Sequence, residues 1–95
     1  MRTMIRIRIP VEAGNRSVKD GSLPETLGGM LDRLKPEGSY FYTDGGLRTM
    51  LLVFDLKDPS EIPPIAETFF QSFDASVEFF PVMNADDLKK GVSQL

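Results

Sequence analysis

The chain has 95 residues, of which 41% are hydrophobic and 26% charged, and its formal net charge is −3. A chain of this length forms one domain, so we expect a single domain over residues 1–95. It buries only about 60–65% of the surface that its unfolded form exposes, and dimerisation is a common remedy for so small a core. The acidic balance argues against a general nucleic-acid-binding protein.

Cysteine and histidine are both absent from the sequence. Their absence excludes thiol chemistry, disulfides, Ser–His–Asp catalysis and histidine-ligated metals, and leaves only an oxygen-ligated hard cation open. We expect no cofactor. No stretch approaches the roughly 20 apolar residues of a membrane span, and the N-terminal apolar run carries charges that a signal peptide lacks. We therefore expect a cytoplasmic protein with neither membrane nor nucleic acid as a partner.

The clearest strand lies at residues 3–9, where apolar and polar residues alternate. Its isoleucines share one face, while Met4, Arg6 and Arg8 share the other. Residues 12–20 predict a short helix that ends at Gly21.

A longer helix follows, and we expect it to begin with a capping box at Ser22-Leu23-Pro24-Glu25. Its apolar stripe has helical spacing and consists of Leu27, Met30, Leu31 and Leu34. The pair Gly28-Gly29 costs helix stability, and we interpret it as allowing close approach to the sheet.

A hairpin comes next, with a strand at residues 39–43, a turn at Asp44-Gly45-Gly46 and a partner strand at 48–55. The second strand is apolar on both faces, as Met50, Leu52 and Phe54 point one way and Leu51 and Val53 the other. A strand of this kind is typically central and covered on both sides.

The C-terminal part contains a second helix, a fourth strand and a short last helix. Asp58-Pro59-Ser60-Glu61 opens the second helix, residues 75–82 form the strand, and Asn84 caps the last helix. The buried stripe of the second helix is predicted to be Ile62, Ile65, Ala66, Phe69 and Phe73.

The resulting order βαββαβ predicts an α+β, ferredoxin-like fold. Right-handed crossovers give a four-stranded antiparallel sheet of order 4-1-3-2 with the helices on one face. The other face then has no cover from this chain except the final helix.

In element order and length, and in its ending from Phe80 to Leu88, the chain resembles the dimeric α+β barrel superfamily. That superfamily includes monooxygenase-like, muconolactone-isomerase-like and stress-responsive barrel proteins, and the chain is most similar to its uncharacterised bacterial members. The resemblance implies a homodimer whose sheets pack face to face, with a cleft between sheet and helices in each subunit. The histidine-based or Asn/Trp-based sites of the characterised branches have no counterpart here, so no catalytic residue is carried over.

Two groups of polar residues are candidate ligand-binding residues. Arg6 and Arg8 with Glu78 on the neighbouring strand would bind a carboxylate or phosphate, or form a cross-strand ion pair at a dimer interface. Tyr40 and Tyr42 would line a pocket or supply interface aromatics. We favour the interface in both cases.

Two further groups have plainer explanations. Asp44, Asp55 and Asp58 match no cation-binding loop and are explained by a turn and a helix cap. The phenylalanines at 69, 70, 73, 79 and 80 would form a ligand cavity or, as we favour, pack in the core. Phe70 does not fit the helical stripe and is expected to face a dimer partner or a cleft.

Three functions remain open on this sequence. The first is a dimeric protein that binds a small organic acid or aromatic ligand in a cleft between sheet and helices. The second is a cofactor-independent enzyme using the arginine, tyrosine and glutamate candidates. The third is a purely structural assembly module, in which those arginines and the glutamate would be consumed in ion pairs.

Overall fold

Four strands form a single antiparallel sheet in the computed structural model, which describes residues 1–95. The elements are β1 (Arg2–Ile9), α1 (Val11–Lys19), α2 (Ser22–Leu34), β2 (Gly38–Asp44), β3 (Leu47–Asp55), α3 (Ile62–Phe73), β4 (Ser76–Pro81) and α4 (Ala85–Val92). The sheet order is β2-β3-β1-β4, which is the predicted order 4-1-3-2 read from the other edge. This α+β arrangement is compatible with a ferredoxin-like fold.

The core lies between the sheet and the first three helices. The alternation of β1 sends Ile5, Ile7 and Ile9 into this core, where all three are fully buried. Residues from α1, α2 and α3 meet them there, among them Ala13, Met30, Ile65, Phe69 and Phe73. The side of the sheet turned away from these helices is called the open face below.

The hairpin between β2 and β3 is confirmed, and its glycines explain how tightly it turns. Gly45 and Gly46 have φ of +60° and +81°, so both occupy the left-handed region that side chains with a Cβ disfavour. A two-residue turn with two positive φ values follows the twist of the flanking strands. The turn fixes the register that places Asp44 opposite Leu47.

The predicted capping box at the start of α2 is wrong. Gly21, with φ of +81°, precedes the helix, and no side chain caps it. The Ser22 N–H instead donates to Asp20 Oδ1 at 2.8 Å, and the Glu25 N–H donates to the Gly21 carbonyl at 3.3 Å. The left-handed turn after α1 brings Ser22 into the first helical turn, where its hydroxyl cannot serve as the cap.

The interpretation of Gly28 and Gly29 is also wrong. A Cβ built at either position meets no atom within 4 Å, so neither glycine permits a close approach. Gly14 of α1 does so instead, since a Cβ there would lie 2.6 Å from Nη1 of Arg48. The close approach to the sheet that the sequence assigned to α2 belongs to α1, where Gly14 leaves room for the side chain of Arg48 on β3.

The last helix, α4, leaves the open face uncovered. Asn84 caps it as predicted, with the Asp87 N–H donating to Asn84 Oδ1 at 2.8 Å. None of its residues is buried, and an ion pair between Asp87 and Arg2 ties it to β1. No helix of the protein is both long enough and apolar enough to cross a membrane.

Candidate functional site

The five candidate residues of the sequence all lie on the open face, in two adjacent rows across the sheet. The strand register gives these rows as Tyr40–Leu51–Arg6–Glu78 and Tyr42–Thr49–Arg8–Ser76. The strand alternation thus brings the arginines, tyrosines and glutamate together. What they can bind depends on which of their polar groups are free.

Arg6 contacts two neighbours on β4, Glu78 and Phe80. Its Nε and Nη2 donate to Oε1 of Glu78 at 3.0 and 2.8 Å. Its guanidinium also lies over the ring of Phe80, 5.5 Å from the ring centre, within the range of a cation–π contact. The hydrogen bond that Arg6 donates to Glu78 is the main reason that the pKa of Arg6 is raised. This pair occupies the Nε and Nη2 edge of the guanidinium, one of the edges through which arginine binds a carboxylate in bidentate fashion.

Arg8 faces the carboxylate of the hairpin turn. Its Nε lies 3.6 Å from Oδ2 of Asp44, a distance for an ion pair and too long for a hydrogen bond. That Nε is buried and has no hydrogen-bond partner. Asp44, interpreted from the sequence as a turn residue only, therefore also balances the charge of Arg8.

The two tyrosines lie at the outer edge of the open face. Tyr40 is 66% exposed and Tyr42 41% exposed. The ring of Tyr40 lies over Gly38, where a Cβ would be 3.3 Å from the ring. Tyr40, Arg6, Arg8 and Glu78 line no cavity of the chain, whereas Tyr42 is one of the residues that line the apolar cleft described below.

The phenylalanines divide as core packing predicts. Phe69 and Phe73 are fully buried with ring centres 6.3 Å apart. Phe70 is 39% exposed on α3 and lines no cavity, so the cleft that was one of its two expected neighbours is absent. Phe79 packs at the margin of the core, and Phe80 lies on the open face beneath Arg6.

The three aspartates considered for a cation are dispersed. Asp44 faces Arg8, Asp55 accepts a hydrogen bond from the N-terminal ammonium at 2.7 Å, and Asp58 accepts one from the Ser60 N–H at 2.8 Å. The bond from the ammonium is the main cause that lowers the pKa of Asp55. No group of three acidic side chains comes together anywhere in the chain.

An apolar cleft lies on the opposite side of the sheet, between α2 and the β2–β3 hairpin. It has a volume of about 230 Å³. Its lining consists of Ile9, Leu23, Leu27, Phe41, Tyr42, Thr43, Arg48, Thr49 and Met50. This volume lies below the roughly 300–1,000 Å³ of cavities for drug-sized ligands, so only a small molecule fits. We call it the α2 cleft.

Sequence reasoning missed the one charged residue of the α2 cleft. Arg48 lies on the core face of β3, in line with Met50 and Leu52. The signal was present, because alternation along β3 places this arginine among apolar residues. The alternate arginines of β1 pointed to Arg6 and Arg8 as the cationic site instead.

A larger surface groove of about 550 Å³ runs beside the start of α4. Arg2 at its edge binds two carboxylates, Glu37 through Nε at 2.6 Å and Asp87 through Nη1. The hydrogen bond with Glu37 is the main cause that raises the pKa of Arg2. The cation of this groove is therefore already neutralised.

The chain is thus a small α+β protein whose antiparallel sheet is covered by helices on one side only. Its open face carries ion pairs, and an apolar cleft lies on the helix side. Comparison of the chain with protein-family models and with curated proteins finds no match. Its function must therefore be argued from the two surfaces.

Proposed function

We propose that the protein is a homodimer in which two open faces pack together and each protomer binds a small organic ligand in its α2 cleft. One observation carries this proposal. Arginine and glutamate on the open face are consumed in ion pairs and line no cavity, whereas the apolar α2 cleft lies on the other side of the sheet. The open face has the features of an interface and the cleft those of a ligand site.

The composition of the open face supports a second copy as its partner. Around the ion pairs it presents apolar and aromatic side chains that no helix covers, namely Met4, Tyr40, Tyr42, Leu51, Val53 and Phe80. Tyrosine, phenylalanine, methionine and arginine are the residue types enriched at protein interfaces. A continuous apolar surface of this kind is uncommon on monomers. Packing two open faces gives the face-to-face barrel that the sequence suggests.

The enzyme alternative would place catalysis at the five open-face candidates. Catalytic groups need free donors or acceptors within reach of a substrate. The bond of Glu78 to Arg6 and the absence of a cavity around Tyr40 weigh against that arrangement. For this reason we assign the open face to assembly.

Sedimentation equilibrium tests the dimer. We expect twice the 10.6 kDa chain mass at micromolar concentration. Leu51→Lys, which puts a second cation beside Arg6 at the centre of the open face, should give a folded monomer. The matched control is Phe70→Lys, a similar change at an exposed residue of α3, which should remain dimeric. A wild-type chain that sediments as a monomer contradicts the proposed assembly.

NMR titration with small aromatic compounds tests the cleft. Amide signals of Leu23, Leu27 and Thr43 should shift on addition of millimolar ligand, while those of the open-face strand residues Arg6 and Glu78 should not. Shifts confined to the open face would assign the ligand site to the predicted residues after all.

A further inference from the structure

The α2 cleft carries a single charge, and the environment of that charge indicates which ligands it accepts. Arg48 is half-buried at the start of β3, opposite Ile9 on β1 and Thr43 on β2. It is the only charged residue of the lining. No carboxylate lies within 4.0 Å of it, whereas the other half-buried arginines, Arg2, Arg6 and Arg8, are all paired.

Neutral groups of α1 hold the guanidinium in place. Nη2 of Arg48 donates to Oδ1 of Asn15 at 3.1 Å, and Nη1 packs against Gly14, where a Cβ would lie 2.6 Å away. An amide oxygen orients the guanidinium without cancelling its charge. A guanidinium has five N–H donors in a planar fork, and a carboxylate accepts two of them in parallel.

Apart from Arg48, Tyr42, Thr43 and Thr49, the residues that line the cleft are apolar. Leu23 and Leu27 of α2 face Phe41, Met50 and Ile9 of the sheet. These side chains offer no hydrogen-bonding group to a ligand. An aromatic or branched aliphatic group that displaces water from them would bind with a favourable free energy. The cleft thus joins one fixed cation to an apolar wall.

We propose that the α2 cleft binds a small monocarboxylate, with its carboxylate on Arg48 and its aromatic or branched body against Leu23, Leu27 and Phe41. This inference rests on the proposed function, because it names the ligand class of the same cleft. A second negative charge has no partner in the lining, so dicarboxylates and phosphates are disfavoured relative to monocarboxylates. A neutral molecule of the same shape leaves the guanidinium without its bidentate acceptor.

Benzoate and its uncharged isostere benzamide distinguish the role of Arg48 from ligand binding by the α2 cleft as such. NMR titration of the full chain should show benzoate binding about 10- to 100-fold more tightly than benzamide, as expected for charge-assisted hydrogen bonds. Arg48→Met, which keeps an unbranched apolar stem, should weaken benzoate to the level of benzamide and leave benzamide unchanged. Retained benzamide binding shows that this variant is folded with its cleft intact.

Two controls locate the effect. Arg33→Met removes an exposed arginine of α2 that lies outside the cleft and should leave both affinities unchanged. Leu27→Trp fills the cleft and should abolish binding of both compounds, with its fold checked by circular dichroism. Equal affinity for benzoate and benzamide, or benzoate binding that survives Arg48→Met, overturns the role of Arg48 while the cleft stands. Failure of both compounds to bind the wild type overturns the cleft as well.

Discussion

The two faces of the sheet are built from the same strands, but their arginines have different partners. On the open face Arg6 and Arg8 meet carboxylates across the strands and remain half-exposed. On the helix face Arg48 meets an amide and a glycine, beside the fully buried Ile9. The cations of the open face are balanced by carboxylates of the chain, whereas a half-buried cation with a neutral partner retains its capacity for an outside anion.

The faces also differ in what holds them together. The helix face has a closed core whose largest side chains are fully buried, while the open face has side chains that only neighbours within the sheet shelter. Apolar burial should therefore set the stability of the protomer, and the open face should contribute to assembly.

Phe69→Ala should cost the most stability. Its ring is fully buried against Phe73, and removal of a buried aromatic side chain costs about 3–5 kcal/mol. Phe70→Ala, at the next residue of the same helix, should cost under about 1 kcal/mol because that ring is 39% exposed. Urea unfolding followed by circular dichroism measures both. Similar losses for the two variants would mean that α3 is held by something other than its core stripe.

Gly29→Ala should raise stability by about 0.5–1 kcal/mol. Gly29 lies in an exposed part of α2 and a Cβ there meets no atom within 4 Å, so only the helix preference changes. Gly14→Ala makes the same change in α1 and should be less stable than Gly29→Ala, because its Cβ would displace the Arg48 guanidinium. Thermal unfolding compares them. Equal stabilisation by both substitutions would contradict the close packing of the Arg48 guanidinium against Gly14.

The sequence predicted the parts of this molecule that depend on short-range pattern. Period-two alternation identified β1 and the faces of β3, and the pair Gly45-Gly46 identified the hairpin. Together with the handedness of crossovers this gave the sheet order. The same alternation placed the candidate residues on one face of the sheet, since the register of β2 and β3 follows from their hairpin turn.

The features it missed depend on where helices lie over the sheet. No local signal says that α1 passes over Arg48, and so the close contact was assigned to the Gly28-Gly29 pair of α2 when it belongs to Gly14 of α1. The capping box of α2 failed for a related reason, because the left-handed Gly21 set the entry of the chain into the helix. Tertiary placement decided each of these points.

The Arg6–Glu78 ion pair should contribute little to a dilute protomer and more to a dimer. Both side chains are half-exposed in the single chain, where solvent and salt screen their attraction. A double-mutant cycle with Arg6→Met and Glu78→Gln measures the coupling. In the monomeric Leu51→Lys background the coupling should be small and vanish in high salt. In the wild type, which we propose to be a dimer, the coupling should be larger and persist in high salt. Equal coupling in both backgrounds would place the pair outside the proposed interface.

Asp55 supplies the smallest effect, a pH dependence at the end of β3. The hydrogen bond from the N-terminal ammonium is the main cause that lowers its pKa below the usual 3.8. A carboxyl whose pKa is lower in the folded chain stabilises that chain fully above about pH 4, and this contribution is lost as the pH falls through the folded pKa. Asp55→Asn should remove that part of the acid-side slope. Carbon-13 NMR titration of the side-chain carboxyl gives the pKa directly, and acetylation of the N-terminus should return it towards the usual value. An unchanged pKa after acetylation would assign the shift to Lys57 or Arg2, the weaker cationic neighbours of this carboxyl.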